Sequence, residues 1–267
     1  MGVTMNRLQD QVIIVTGSTT GIGKAIARRV LEEGGRVILH GLEPTLGEET
    51  RTELDPGGDR TALLIADVCA DDFGTAIISL ALARFGKLDG LVNNAAAVGT
   101  GQLETTRPED FDRFMAVNVR APFFLIQAAL PALSETRGSV VNIGSVNAYC
   151  GEPNLLPYSM SKGALMTMTR NLGDTLHREN GVRVNQVNPG WVLTENERIR
   201  KKEQGLPDNW PSRLSPMFAP SGRIFDPAEI AAAVVYFLSR EAGPVSGSVL
   251  DVEQHPFIGR NPAKSCD

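Results

Sequence analysis

Residues 11–35 read QVIIVTGSTTGIGKAIARRVLEEGG, and their interpretation decides the fold. QVIIVTG (11–17) is a β-branched, apolar run of strand length. GIGKAIARRVLEEGG (21–35) has helical spacing and is closed by a Gly-Gly stop. Between them lies TGSTTGIG (16–23), with glycines at 17, 21 and 23. Glycine tolerates positive φ and lets a backbone approach a ligand closely. A helix that begins directly after such a loop offers free N–H groups and a partial positive charge to a phosphate. Glycines alone mark ordinary turns. The order strand, glycine loop, helix at the start of a parallel sheet makes this one a candidate cradle for a dinucleotide pyrophosphate.

The same alternation continues along the chain. RVILHG (36–41), TALLIAD (61–67), LDGLVNNA (88–95), GSVVNIGS (138–145), VRVNQVNPG (182–190) and GSVLDV (247–252) read as strands. Helical patterns cover 45–54, 71–85, 108–135 with a break near Pro122, about 157–181, and 227–240. Strands that are apolar on both faces belong to a sheet covered on both sides. Alternation with helices implies parallel βαβ crossovers. The fold class predicted is α/β: one doubly wound, Rossmann-like domain over residues 1–267, with a parallel seven-stranded sheet and helices on both faces. Its ligand site is expected at the carboxyl ends of the strands. The charged, Pro-rich segment at 191–226 is too long for an ordinary loop and is expected to form a substrate lid. Residues 253–267 form a C-terminal tail.

Composition narrows the function. The chain has 267 residues, 42% of them hydrophobic, and a net charge of −5, which suits a packed enzyme and argues against nucleic-acid binding. Its three cysteines are widely spaced and form no metal-type pair, so no metal site is expected, and reduced thiols in the cytoplasm are the simplest reading. The N-terminus has no apolar signal segment. Apolar stretches such as 231–238 read as too short to span a bilayer, so no membrane partner is expected.

YSMSK (158–162) places Tyr158 and Lys162 one helical turn apart, on one helix face. Ser145 ends the fifth strand and Asn118 interrupts a helical pattern that Asn does not favour. The TGxxxGxG loop, NNAA at 93–96, the Ser145-to-Tyr158 interval, the Tyr-x-x-x-Lys spacing and NPGWVLT at 188–194 together resemble the short-chain dehydrogenase/reductase family, classical type. The resemblance covers roughly residues 7–252. It departs from the family at Ala96, where Gly is usual, and at DVEQHPFIGRNP (251–262), which replaces the usual DGG ending and adds a tail.

The resemblance implies a catalytic tetrad of Asn118, Ser145, Tyr158 and Lys162. Tyr158 exchanges a proton with the substrate oxygen, and a nearby ammonium and the positive nicotinamide ring are expected to favour its phenolate. Ser145 hydrogen-bonds the same oxygen, although read alone it is only a serine closing a strand. Lys162 holds the nicotinamide ribose, and the Asn118 side chain is expected to hold a water near it. Ser159 and Ser161 fall on other faces and are expected to carry no chemistry. For NAD(P), the implied contacts are Gly17, Ser18, Thr19, Thr20, Gly21, Ile22, Gly23, Gly41, Asp67, Val68, Asn94, Ala95, Tyr158, Lys162, Pro189, Gly190, Val192 and Thr194, with Asn93 on the cofactor side as well. Gly41 stands where NAD-dependent relatives carry an acid, Glu43 reaches that place only if the loop shifts, and Leu42 and Thr20 stand where NADP-preferring relatives carry a cation. The missing carboxylate tips the reading to NADP.

Ser145, Asn147, Cys150, Trp191 and Trp210 are the candidate substrate contacts. RIRKKE (198–203) reads as a solvated helix face or as a binder of an acid substrate. The polar lid suggests a secondary alcohol or ketone on a sugar, polyol or hydroxy acid. The family implies a homotetramer or homodimer through the helices near 108–135 and 157–180; Phe257 and Arg260 of the tail pack on a neighbouring subunit, close a pocket, or end loosely. Two other readings stand beside this one: a dinucleotide-binding redox sensor without turnover, and a non-redox enzyme such as a dehalogenase relative.

Overall fold

The structure is a computed structural model, described for residues 6–149 and 152–256. Seven strands follow the chain: β1 (Val12–Val15), β2 (Arg36–Gly41), β3 (Thr61–Ile65), β4 (Gly90–Asn93), β5 (Ser139–Ile143), β6 (Arg183–Pro189) and β7 (Val249–Val252). They form one all-parallel sheet in the order β3-β2-β1-β4-β5-β6-β7. The helices are α1 (Gly21–Glu32), α2 (Pro44–Leu54), α3 (Phe73–Phe85), α4 (Pro108–Met115), α5 (Ala121–Thr136), α6 (Leu156–Asn180), α7 (Glu195–Glu203) and α8 (Pro227–Leu238).

The sheet's pleat divides the core in two. Ile13 and Val15 of β1 pack with α1 and α8 on one face. Val12 and Ile14 pack with α3, α5 and α6 on the other. All four are fully buried, as a strand covered on both faces requires. Prolines open α2, α4, α6 and α8, where the missing N–H costs nothing. Gly86 and Gly181 close α3 and α6 in the left-handed conformation. The chain winds outward from β1 to β3, then returns across β1 to β4. The switch point therefore lies at the carboxyl ends of β1 and β4, which is where the glycine loop emerges.

Two expectations are corrected here. The helix does not break near Pro122: α4 runs through a π turn at Ala116–Arg120 into α5. The wider turn relieves the clash between the proline ring and the carbonyl one turn back. The combined helix Pro108–Thr136 has 29 residues and a window of mean hydropathy 1.3, long and apolar enough to cross a membrane. The reading that apolar stretches such as 231–238 are too short to span a bilayer left this helix out of account, because the charged end of α4 hides its apolar length. Its Leu125, Ile126, Ala129 and Leu133 are buried against the sheet, so it serves as a core helix.

Segment 191–226 is tied at its base. Val192 and Phe225 form a parallel bridge, and Leu193 N–H and Phe225 N–H donate to Phe225 O and Trp191 O. Inside, Trp210, Ala219 and Ile224 form a small core of their own with Trp191, Leu193, Leu206 and Leu214. The segment carries α7 and a 3₁₀ turn at Trp210–Arg213.

Candidate active site

The glycine loop has the shape of a phosphate cradle. Gly17 and Gly21 adopt left-handed φ of +61° and +53°. A Cβ at Gly23 would lie 2.1 Å from the Gly17 carbonyl oxygen, so only glycine lets α1 start this close to the loop. Thr20 caps α1 with no side-chain hydrogen bond, and the first turn of α1 carries no acid. The N–H groups of that turn are thus left for an anion. Gly21 faces Thr194, whose Cγ2 a Cβ at 21 would meet at 3.2 Å, so the NPGWVLT segment borders the same cleft.

Several predicted contacts prove to be struts of this loop. Ser18 is fully buried and its hydroxyl accepts the His40 N–H at 2.9 Å. The Thr19 carbonyl accepts from Thr50 Oγ1 at 3.0 Å. Asn94 donates through Nδ2 to the Thr16 and Gly17 carbonyls, both at 2.9 Å, while the Asn94 and Ala95 N–H groups donate to Thr16 Oγ1. These contacts fix the loop against β4. Asn93 is buried and donates to Asn142 Oδ1 at 2.8 Å. Asp67 and Val68 follow β3, Asp67 exposed and accepting from Cys69 N–H. Ile22 packs on the core, and Pro189, Gly190 and Val192 lead from β6 into the lid. At Gly41 a Cβ would lie 2.5 Å from Thr19 Cγ2, so Thr19 fills the space where a side chain at 41 would stand.

Ser145, Tyr158 and Lys162 converge at the carboxyl end of β5. The Tyr158 phenol is hydrogen-bonded to the Ser145 side chain. Burial raises the phenol's pKa, against lowering by that hydrogen bond and by the Arg200 charge. Lys162 is 3% exposed, and its Nζ donates to the Ile143 carbonyl at 2.7 Å and lies 5.8 Å from the Tyr158 ring centroid. Burial lowers its pKa to about 8. In this state both groups are pushed toward neutrality, so the pull on Tyr158 expected from Lys162 is not what dominates; desolvation does.

Asn118 sits in the π turn, and its side chain bonds to protein groups. Oδ1 accepts from Ala97 N–H at 2.8 Å, and Nδ2 donates to Ala97 O at 3.0 Å and Ser161 Oγ at 2.9 Å. These partners use both amide hydrogens and one acceptor site of the oxygen, which leaves its second lone pair as the place where this side chain can take the expected water. Ser161, read as idle, links the π turn to α6 by also donating to the Tyr158 carbonyl at 2.7 Å. A buried serine on the helix side away from Tyr158 could not be separated from a core position by spacing alone.

Sequence reading also missed a line of buried amides under the site. Asn93 donates to Asn142, whose Nδ2 donates to Thr169 Oγ1 at 2.8 Å; that hydroxyl lies 2.9 Å from Gln186 Oε1. Gln186 Nε2 donates to Asn188 Oδ1 at 2.7 Å, and Asn188 Nδ2 to Asp251 Oδ1 at 2.9 Å. Tyr149 OH donates to the same carboxylate oxygen at 3.1 Å. Asn188 Oδ1 also accepts the Ser145 N–H at 3.1 Å. A backbone N–H can only donate and a carboxylate only accept, so these two anchors orient the Asn188 amide, and through it Gln186. The signal was present: polar residues inside strands that must be buried on both faces need partners.

On the lid, Trp191 and Trp210 stack with centroids 5.2 Å apart. Trp210, predicted to touch substrate, is 5% exposed and packs inside the lid core. Trp191 Nε1 donates to Glu197 Oε1 at 2.8 Å, and Glu197 pairs with Arg200 and, at 3.9 Å, with Lys201. Asn147 N–H donates to Ser145 Oγ at 3.1 Å, so Asn147 starts a 3₁₀ turn beside the site. Cys150 lies outside the described residues, as do Phe257 and Arg260. Among the described residues no group of three or more His, Cys, Asp or Glu side chains is placed to hold a metal.

A family profile described as enoyl-(acyl carrier protein) reductase matches residues 17–254. The chain belongs to the short-chain dehydrogenase/reductase family. It is 37% identical to 2-(S)-hydroxypropyl-CoM dehydrogenase 3 of Xanthobacter autotrophicus, over 93% of this chain and 97% of that protein. It is 35% identical to an uncharacterized oxidoreductase of Thermotoga maritima (92% and 96%) and to L-fucose dehydrogenase of Bos taurus (95% and 92%). As a member of this family the protein is an oxidoreductase of alcohol substrates.

Proposed function

We propose that this protein transfers a hydride between NAD(P) and a secondary alcohol or ketone carried on a polar substrate: a sugar, polyol or hydroxy acid. The observation that carries the reading is the convergence of Ser145, Tyr158 and buried Lys162 beside a loop in which Gly17 and Gly21 take left-handed φ and Gly23 has no room for a Cβ. When bound, the nicotinamide supplies or accepts the hydride. Tyr158 passes the proton to or from the substrate oxygen, and Ser145, already bonded to the phenol, donates to that oxygen. The Lys162 ammonium has three donors and places one on Ile143 O, which leaves others for the ribose hydroxyls. Asn118 and Ser161 hold the π turn against α6 and so keep Tyr158 in place.

A polar substrate is supported by the charged lid, where Arg200 acts on the phenol from α7, and by the names of the fucose and hydroxypropyl-CoM relatives. A preference for NADP is supported at Gly41: with Thr19 in that space, no carboxylate stands at position 41 to repel a 2′-phosphate. Assembly as a dimer or tetramer is supported by Phe123 and Phe124 on α5, 45% and 47% exposed. Cys69 as a free thiol supports a reducing compartment.

The test is a screen of sugars, polyols and hydroxy acids for reduction of NAD and NADP, with Tyr158→Phe as control. Turnover should vanish in the variant while calorimetric dinucleotide binding persists. A Tyr158→Phe protein with normal turnover overturns the catalytic assignment, and higher kcat/KM with NAD overturns the NADP preference.

A further inference from the structure

His40, the penultimate residue of β2, is 2% exposed and takes no direct part in the chemistry proposed above. Its ring bridges the glycine loop and the end of β3. Nδ1 accepts the Gly17 N–H at 3.0 Å, and Nε2 lies 2.9 Å from the Ala66 carbonyl. A backbone N–H can only donate and a carbonyl can only accept, so the ring is held as the neutral Nε2–H tautomer. The main chain of the same residue is tied to the same loop: Ser18 N–H donates to His40 O at 2.8 Å, and His40 N–H donates to Ser18 Oγ at 2.9 Å. Phe73 of α3 packs edge-on against the ring, with centroids 4.9 Å apart.

Gly17 is the residue least able to do without this support. It carries left-handed φ, and its carbonyl is pressed against Gly23 and held by Asn94. With Asn94 on its carbonyl and His40 on its N–H, the peptide groups flanking the first turn of the loop are clamped from both sides. A second proton on the imidazole would sit on Nδ1 and face the Gly17 N–H, turning an attraction into a clash of two donors.

We propose that His40 is a positioning residue of the dinucleotide loop, and that its neutral ring makes cofactor affinity fall in acid. The inference rests on the reading of the glycine loop as a dinucleotide site. The surroundings favour the neutral ring: burial lowers its pKa, against raising by the Ala66 carbonyl and by the Asp67 carboxylate. Asp67, from the end of β3, is the charged group that acts on the ring; α3 faces it with Phe73, and the loop with uncharged Gly17 and Ser18. The sign follows. The folded pKa is depressed below the ordinary value, so the Gly17 contact is intact at neutral pH and is lost only as pH falls through that lower folded value.

The test is calorimetric titration of the full chain with NADH and NADPH at pH 8 and at pH 5.5, for wild type, His40→Asn and His40→Phe. Asn retains an acceptor near the position of Nδ1 and does not titrate; Phe keeps the packing on Phe73 and has no acceptor. Wild-type affinity should be lower at pH 5.5 than at pH 8, by up to about tenfold once the ring takes its second proton, the effect of leaving one buried donor unpaired. His40→Asn should remove that fall. His40→Phe should be about tenfold weaker already at pH 8 and equally pH-independent. The chain has three histidines, so the His40 ring can also be followed by NMR, which should show the Nε2–H tautomer at pH 6.5 without any cofactor. A pH dependence shared by wild type and His40→Asn, binding that tightens in acid, or a charged ring at pH 6.5 overturns the proposal for His40 while leaving the dinucleotide site standing. No dinucleotide binding by the wild type at pH 8 overturns the reading of the loop itself.

Discussion

Gly23→Ala adds a single methyl group at the most crowded glycine of the loop. The new Cβ would stand 2.1 Å from the Gly17 carbonyl oxygen, 2.8 Å from its carbon and 2.5 Å from Asn94 Nδ2. Two of these three neighbours are backbone, so no rotamer change relieves the clash. Either α1 slides away from the loop or the Gly17 peptide rotates. Rotation breaks the Asn94-to-Gly17 hydrogen bond of 2.9 Å, worth about 1 kcal/mol, on top of about 3 kcal/mol for overpacking at the upper end of its usual range. The expected loss is thus roughly 4 kcal/mol, which leaves a folded protein within the stability typical of a domain. Gly86→Ala is the matched control. Gly86 has φ of +77° and nothing within 4 Å of an added Cβ, so it should lose only the backbone strain of about 1–2 kcal/mol. Urea unfolding measures both, and calorimetry with NADPH measures the loop. Gly23→Ala should lose dinucleotide binding and Gly86→Ala should keep it. Equal stability losses in the two variants, or wild-type affinity in Gly23→Ala, would refute the packing argument.

Lys162 is lowered by burial from 10.5 to about 8, so the unfolded chain binds more protons between those values and the stability of the cofactor-free protein should climb as pH rises through that window. Lys162→Met should abolish the climb and, at pH 7, unfold at higher urea than wild type, by up to roughly 3 kcal/mol, while losing turnover; a variant less stable than wild type at pH 7 would show the ammonium to be a net stabiliser. Asn188→Asp keeps the shape but sets a carboxylate oxygen against Asp251 at the present 2.9 Å. It should cost about 3–5 kcal/mol near neutrality and recover in acid, as read by urea midpoints from pH 4 to pH 8. An unchanged midpoint would mean the amide line has no fixed direction.

The sheet was legible because the strands are short apolar runs, most of them β-branched, and because βαβ alternation admits little else. Tyr158, Lys162 and Ser145 were legible through spacing. What escaped was every feature that depends on which way a buried polar group points. Asn118 and Ser161 look like a catalytic residue and an idle one, yet they bond to each other across the π turn. Pro122 reads as a helix breaker until a wider turn ahead of it is known. Trp210 reads as a pocket residue, although its ring is the centre of a core that holds the lid together. Sequence gives the residue types at such positions; partners separated by tens of residues decide their roles.

The electrostatics of the pair give the site its logic. A phenolate and an ammonium would ordinarily stabilise each other, and spacing alone suggested that they do so here. Instead each is pushed by burial toward its neutral form, the phenol up and the ammonium down. Lys162 turns its charge toward the Ile143 carbonyl rather than the Tyr158 oxygen, and the ring contact at 5.8 Å is with the phenol's face. Lys162, at about 8, still carries its charge at neutral pH, and further cations that draw on the Tyr158 proton come from outside this pair. One is Arg200 on the lid, which already lowers the phenol; the oxidised nicotinamide, once bound, supplies another. A phenol that needs both is one whose acidity reports that cofactor and lid are in place. Under the proposed function, proton transfer would then be linked to assembly of the whole site, with Glu197 holding Arg200 and Trp191 together on the lid side.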